Sequence, residues 1–155
     1  MVTALLTMLG LVAMAQGRPV VEVRLDPAMP ALSALGVPTL AESVPDADRM
    51  DKELRLEPEK PFRWVVAPGE ALTVRLRAPA SSGARAVLTA WDWERRPVWR
   101  HDTAAPADVA VRFRSDGRGA YLLTLDALDA RGRCRARLAR SFAVCPPNDT
   151  HRAKW

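Results

Sequence analysis

Two carboxylate residues flank a tryptophan in the stretch WDWERRPVW, residues 91–99. Asp92 and Glu94 lie on either side of Trp93, and glycoside hydrolysis uses two such carboxyl groups. A catalytic carboxyl needs a pocket that shifts its pKa, whereas the Glu-Arg-Arg-Pro run predicts an exposed hairpin end. We therefore interpret Asp92 and Glu94 as polar turn residues. A small hydrolase, in which Asp92→Ala would abolish turnover, is the less favoured alternative.

Other nucleophilic and metal-binding residue types are present without forming a known constellation. His101 is followed by Asp102, and Ser81 and Ser82 lie in a loop, but no Gly-x-Ser-x-Gly elbow occurs. No phosphate-binding loop or dinucleotide fingerprint is present. Two Cys and two His do not give the spacing of metal ligands. The sequence therefore predicts no catalytic residue, no metal and no cofactor.

Two tryptophans, Trp93 and Trp99, flank the turn Glu-Arg-Arg-Pro. An exposed aromatic ring can stack on the apolar face of a sugar, because that face matches a flat π surface. These residues, with Arg96 between them, are our candidate contacts to a glycan or to a neighbouring domain. The alternative is that both rings pack against cross-strand partners.

The basic residues are spread along the chain. The formal net charge is +5, and all but three of the 23 basic residues are arginines. Many of them alternate with apolar residues, as in VRLR at 74–77, which places them on the solvent face of strands. No nucleic-acid-binding motif or stacking platform in a basic groove is present. We therefore predict no nucleic-acid partner.

The N-terminal region contains an uncharged apolar run, ALLTMLGLVAMA, at residues 4–15. This run is shorter than the roughly 20 residues that span a bilayer, and its last residues, Ala-Met-Ala, fit the cleavage rule of secretory signals. The sequence predicts a signal peptide over residues 1–15, a secreted or periplasmic chain and no membrane partner after cleavage. A buried strand or helix of the domain is the alternative.

The elements that carry these residues show the period-two alternation of half-buried strands. Short apolar runs separated by turn signals are the pattern of an antiparallel sandwich. We predict an all-β, immunoglobulin-like antiparallel β-sandwich of about seven strands over residues 58–145. Residues 16–57 are predicted to be an irregular lead-in segment with one or two strands. The predicted strands lie within residues 61–70, 71–78, 84–93, 98–101, 108–114, 120–130 and 134–144.

Two aromatic residues are predicted to be structural. Trp91 lies in the third predicted strand, where immunoglobulin-like sandwiches often bury a tryptophan. Tyr121 follows the turn DGRG and resembles a tyrosine corner, in which the hydroxyl bonds backbone near the turn. A tyrosine at a plain sheet edge is the alternative for Tyr121.

The chain has two cysteines, Cys134 and Cys145. On one extended strand over 133–145 they would be about 36 Å apart. A disulfide needs Cα atoms within about 7 Å of each other. We therefore predict two free thiols, one buried and one near the edge of the domain.

Four pieces between Phe62 and Val144 form a further pattern: PGEALTVRL, GAYLLTLDALDARGR, the closing FAV, and WDWERRPVW in the place of a D-x-x-G-x-x-V hairpin. With these pieces, the stretch resembles the immunoglobulin-like domain that precedes the catalytic barrel in secreted bacterial glycoside hydrolases. Arg96 is taken as the residue that replaces the glycine of that hairpin. Residues 146–155, PPNDTHRAKW, resemble the linker that leads to the barrel.

This resemblance implies a non-catalytic accessory domain of a polysaccharide-acting enzyme, with the chain as a truncated N-terminal fragment. Its partner would be the downstream catalytic domain of the same polypeptide, and the catalytic carboxylates would lie beyond Trp155. The alternative is a self-contained exported module that binds carbohydrate or protein.

Overall fold

A computed structural model describes residues 12–15, 17–32 and 53–146 of the chain. These residues are almost entirely β-structure, and their one helical element is a 3-10 turn at Ala80–Ser82. None of them forms a helix long and apolar enough to cross a membrane. The strands are β1 Val12–Ala15, β2 Arg18–Arg24, β3 Arg55–Pro58, β4 Val65–Val66, β5 Leu72–Ala78, β6 Arg85–Trp91, β7 Pro97–Ala104, β8 Ala107–Arg114, β9 Gly119–Leu128 and β10 Cys134–Val144.

The strands form two five-stranded sheets that pack face to face. Sheet A has the order β1-β2-β8-β5-β3, and sheet B has the order β4-β10-β9-β6-β7. The predicted all-β sandwich is therefore confirmed, with ten described strands instead of about seven. The prediction that all pairs are antiparallel is wrong: both sheets are mixed, because β2 pairs parallel with β8 and β4 pairs parallel with β10. A parallel pair needs a long connection between its two strands. The two strands of each of these pairs are far apart along the chain, so the connection is long enough.

The core lies between the two sheets and follows the predicted alternation. In β5, Leu72, Val74 and Leu76 are buried in the core, whereas Thr73 and Arg75 face outward. The inner residues of β8 alternate in the same way with arginines and other outward residues. Such alternation buries one face of a strand and leaves the other to solvent.

The sandwich includes two strands from the predicted lead-in segment. β2 lies beside β8, and β3 pairs antiparallel with β5 from Arg55↔Arg77 to Pro58↔Val74. The sandwich is therefore not confined to residues 58–145. The last four residues of the predicted signal peptide form β1, which pairs antiparallel with β2. The rest of that peptide and residues 147–155 of the predicted linker lie outside the described residues.

Trp91 is buried, as predicted, but on the side of sheet B that faces away from the other sheet. Ala90, its neighbour in β6, is part of the core between the sheets, whereas Trp91 is not. The indole Nε1 of Trp91 donates a 2.8 Å hydrogen bond to Oγ1 of Thr124 on β9. The cross-strand partner of Thr124 is Thr89, whose buried hydroxyl has no hydrogen-bond partner among the described residues.

This threonine pair gives a matched test of the Trp91 hydrogen bond. We expect Thr124→Val to lower the free energy of unfolding by about 1–3 kcal/mol, because it leaves the buried indole N–H without its acceptor. Thr89→Val should be neutral or stabilising, since it removes a buried hydroxyl that has no partner. Urea denaturation of both variants measures the difference. Equal losses in the two variants would contradict a structural role for the bond.

Tyr121 lies in β9 near its start and is buried, with its ring stacked on Phe142 at a centroid distance of 5.2 Å. Its hydroxyl has no hydrogen-bond partner among the described residues. The backbone bond expected for a tyrosine corner is therefore not present there. Burial raises the pKa of Tyr121.

The two cysteines lie at opposite ends of the last strand. Cys134 begins β10 and is buried, and Cys145 directly follows β10 and is partly exposed. Neither forms a disulfide bond. The prediction of one buried thiol and one thiol near the domain edge is therefore confirmed.

Candidate functional site

The turn between β6 and β7 positions the residues that the sequence suggested for chemistry. The N–H of Arg95 donates to the carbonyl of Asp92 at 3.0 Å, and the N–H of Asp92 donates to the carbonyl of Arg96 at 2.9 Å. Arg95 has a φ of 67°, which is the left-handed conformation. A hairpin of this kind has a tight turn followed by one left-handed residue, most often glycine.

The position that the hairpin pattern reserves for glycine is therefore Arg95, not Arg96 as we predicted. Counted from Asp92, the frame D-x-x-G-x-x-V places its glycine at residue 95 and its valine at Val98. The spacing from Asp92 to Val98 already contained this signal.

Arg96 holds the turn together through both neighbouring carboxylates. Its backbone N–H and its Nε each donate a 2.9 Å hydrogen bond to the carboxylate of Asp92. The same Nε lies 3.2 Å from a carboxylate oxygen of Glu94. Asp92 and Glu94 thus converge on one guanidinium, whereas the carboxyl pair of a glycosidase flanks the substrate bond. Glu94 is an exposed turn residue, as the sequence indicated. The prediction of an exposed Asp92 away from any cleft is wrong, because Asp92 is buried under Arg96 and lines a groove.

A groove of about 420 Å³ lies under this turn, at the end of sheet B where β9 begins and β10 ends. Trp93 borders it and is 77% exposed. Trp64, just before β4, borders it as well, and its side chain is partly buried against the core. The remaining lining residues are Val65, Asp92, Arg95, Ala120, Tyr121, Leu122, Ser141, Phe142 and Ala143.

The groove crosses several strands, because its lining residues come from the β6–β7 turn, β9, β10 and β4. Three strand spacings separate β6 from β4 in sheet B, which corresponds to about 14 Å. This length suits an extended ligand better than a single small ring. The volume lies within the range of small-ligand sites, roughly 300–1,000 Å³.

Trp99 does not belong to the groove. Its ring packs edge-on against Phe113 of sheet A, with centroids 5.5 Å apart and planes at 87°. On its other side it stacks on His101 at 6.2 Å. Burial lowers the pKa of His101, and the charge of Asp102 opposes that effect. The structure therefore separates Trp93 from Trp99. Trp99 packs on a ring of the opposite sheet and not, as the alternative held, on a cross-strand partner. The groove brings Trp64 to Trp93 instead.

The remaining polar candidates form structural contacts. Ser81 donates to a carboxylate oxygen of Glu53 at 3.0 Å, and Asp102 accepts a 3.0 Å hydrogen bond from Nε of Arg85. Across the described ranges, no three His, Cys, Asp or Glu side chains are placed to hold a metal ion. A larger depression, of about 740 Å³, lies beside the 3-10 turn, but its lining contains no aromatic ring.

Comparison with known proteins adds no family to these observations. No protein-family model matches the chain, and no curated protein sequence matches it.

Proposed function

We propose that this protein is a non-catalytic carbohydrate-binding β-sandwich. The observation that carries the proposal is Trp93, a large aromatic ring that is 77% exposed at the border of an aromatic-lined groove. Ligand grooves are lined mainly by apolar and aromatic side chains, so an exposed indole at the border of a groove is a candidate contact for a ligand.

The groove has the mixed chemistry that a saccharide needs. The rings of Trp93 and Trp64 offer flat apolar surfaces for the C–H face of a sugar. The exposed Ser141 hydroxyl and the Arg95 guanidinium offer hydrogen bonds to sugar hydroxyl groups. The Asp92 carboxylate is held in place by Arg96. Together these groups provide a platform and a few polar contacts, which is the arrangement typical of ligand grooves.

We expect Trp93→Ala to weaken binding of a polysaccharide about 30-fold, since a central tryptophan contributes about 2 kcal/mol or more at such sites. Affinity electrophoresis of the full chain in gels that contain soluble polysaccharides measures the affinity across a panel. Circular dichroism shows whether the variant keeps its fold.

The matched control is Phe62→Ala. Phe62 is even more exposed, at 96%, and lines a different depression of about 320 Å³, which shares Trp64 with this groove. It should retain the binding that Trp93→Ala loses. The proposal is wrong if no polysaccharide in the panel binds, or if both variants bind as the unmodified chain does.

A second proposal is the accessory domain of a glycoside hydrolase that the sequence resemblance implies. One structural feature favours it. β10 ends at Val144, paired with Val66, so the chain leaves the sandwich beside the exposed Val65 and the groove. A following domain would therefore begin next to exposed apolar residues.

The test of this second proposal is to sequence the native transcript across the codon for Trp155. We expect the frame to continue into a catalytic domain. A stop codon at that point would contradict the accessory-domain proposal and leave the carbohydrate-binding proposal unaffected.

A further inference from the structure

We infer that the groove beside Trp93 selects acidic polysaccharides, and that Arg95 binds the carboxylate of a uronic acid residue there. This inference rests on the proposed function, because it names the class of carbohydrate that the same groove takes. It is carried by the placement of Arg95, by its lack of an ion-pair partner and by a comparison with a second hairpin of the same chain.

Arg95 is the cation of the groove that remains available to a ligand. The charged residues of the lining are Asp92 and Arg95. Asp92 is bound by the backbone N–H and the Nε of Arg96, and Glu94 lies beside the same guanidinium. No carboxylate among the described residues pairs with Arg95, and its side chain is exposed.

The hairpin between β9 and β10 is built in the same way as the β6–β7 hairpin. Gly132 donates to the carbonyl of Asp129 at 3.0 Å, and Asp129 donates to the carbonyl of Arg133 at 2.9 Å. The Asp129 carboxylate also accepts a 2.9 Å hydrogen bond from the N–H of Arg133. Each of these contacts has its counterpart in the turn that begins at Asp92.

The two hairpins differ at their left-handed residue. Gly132 has a φ of 80°, and the residue at the same place in the other turn is Arg95, with a φ of 67°. Glycine adopts this conformation without strain, whereas a residue with a Cβ atom is disfavoured in it. The chain thus uses glycine where the turn has no groove and arginine where the same turn borders one. Strain of this kind clusters at functional sites.

The chemistry of an arginine beside an exposed indole suits a sugar that carries a carboxylate. The planar guanidinium can donate two parallel hydrogen bonds to the two oxygens of a carboxylate. The indole of Trp93 can stack on the same or the adjacent ring. The turn contains two acidic and two basic side chains, so their charges cancel at a distance. Arg95 therefore attracts the carboxylate of the sugar by direct contact and not through a long-range electrostatic field.

The test compares polygalacturonate with its methyl-esterified form, which has the same sugar backbone without the charge. The full chain should bind the acidic polymer more tightly. We expect Arg95→Gly to weaken binding of polygalacturonate about five- to tenfold, as loss of a partly exposed charged hydrogen bond does. Binding of the methyl ester should change less than about twofold. The same variant should melt about 2–4 °C higher, because its turn is relieved of strain.

Two variants at the other hairpin are the controls. Arg131→Ala removes one positive charge from an exposed turn at the opposite end of β9 and should leave the binding of polygalacturonate unchanged. Gly132→Ala places a Cβ atom where no other atom lies within 4 Å, so it tests backbone conformation alone. It should lower the melting temperature and leave binding unchanged.

The outcomes separate this inference from the proposed function. If both polymers bind equally well and Arg95→Gly weakens neither, the selection of acidic sugars is wrong and the carbohydrate-binding proposal stands. An equal loss in Arg131→Ala and Arg95→Gly would also overturn the inference, because it would show non-specific attraction of a polyanion. If neither polymer nor any other polysaccharide binds, the proposed function itself is wrong.

Discussion

Arg137→Met should lower the free energy of unfolding by about 3–5 kcal/mol, because it removes the cation from a buried ion pair. Nε and Nη2 of Arg137 lie 2.5 and 3.2 Å from the two carboxylate oxygens of Asp126. The Asp126 side chain is fully buried, and that of Arg137 is 11% exposed. Without the guanidinium, the buried carboxylate loses its countercharge and keeps the weaker contact from Sγ of Cys134, at 3.5 Å. Urea denaturation followed by far-UV circular dichroism measures the loss.

A half-exposed pair in the same sheet is the matched control. Arg85 and Asp102 form an ion pair across β6 and β7, with side chains 56% and 24% exposed. Arg85→Met should cost no more than about 1 kcal/mol, because water screens this pair. The double variant Asp126→Leu/Arg137→Met should be more stable than Arg137→Met alone. Equal losses of unfolding free energy in Arg85→Met and Arg137→Met would show that burial does not determine how much an ion pair contributes to stability.

Phe113→Ala should cost about 3–5 kcal/mol of unfolding free energy, as large-to-small changes of buried aromatic residues do. Phe113 lies in β8 of sheet A and is buried. Its ring contacts two aromatic residues of sheet B, Trp99 and Phe142, each at a centroid distance of 5.5 Å. Removal of the ring therefore leaves a cavity between the sheets. Urea denaturation measures the loss, and near-UV circular dichroism reports the altered surroundings of Trp99.

Phe62→Ala is the control for this prediction as well. Phe62 is 96% exposed, so its truncation removes almost no buried surface. Its free energy of unfolding should stay within about 0.5 kcal/mol of the unmodified chain. Similar losses of unfolding free energy in Phe113→Ala and Phe62→Ala would contradict the prediction. They would show that the packing of Phe113 between the sheets contributes less to stability than its burial indicates.

The central strands of the sandwich could be predicted from the sequence because their signal is local. β10, predicted at 134–144, has the same bounds in the structure, and β5 and β8 differ by one residue at their starts. Each has a long run of alternating residues between clear turns. β4 has only two residues, Val65–Val66, and its predicted run at 61–70 contained too little alternation to show where the pairing lies.

The candidate site could be predicted in part. The exposure of Trp93 followed from its place beside a polar turn, which is a local property. Trp64 was missed, because it reaches the groove through the pairing of β4 with β10, almost eighty residues further along the chain. Trp99 was placed on the wrong surface, since nothing local shows that its ring meets Phe113 of the other sheet.

The sequence by itself determined the all-β class, the position of most turns and which residues of each strand share a face. These properties follow from the geometry of an extended backbone, in which successive side chains point to opposite sides. Val87, Thr89 and Trp91 do share a face, for example, as their spacing required.

Tertiary structure alone decided which face lies between the sheets and which strands are neighbours. In β6 the core face is that of Ala86, Leu88 and Ala90, although the largest side chain, Trp91, is on the other face, where it is also buried. Pairing such as that of β2 with β8 joins segments about ninety residues apart. These choices depend on the free energy of packing the whole chain, which no short stretch of sequence contains.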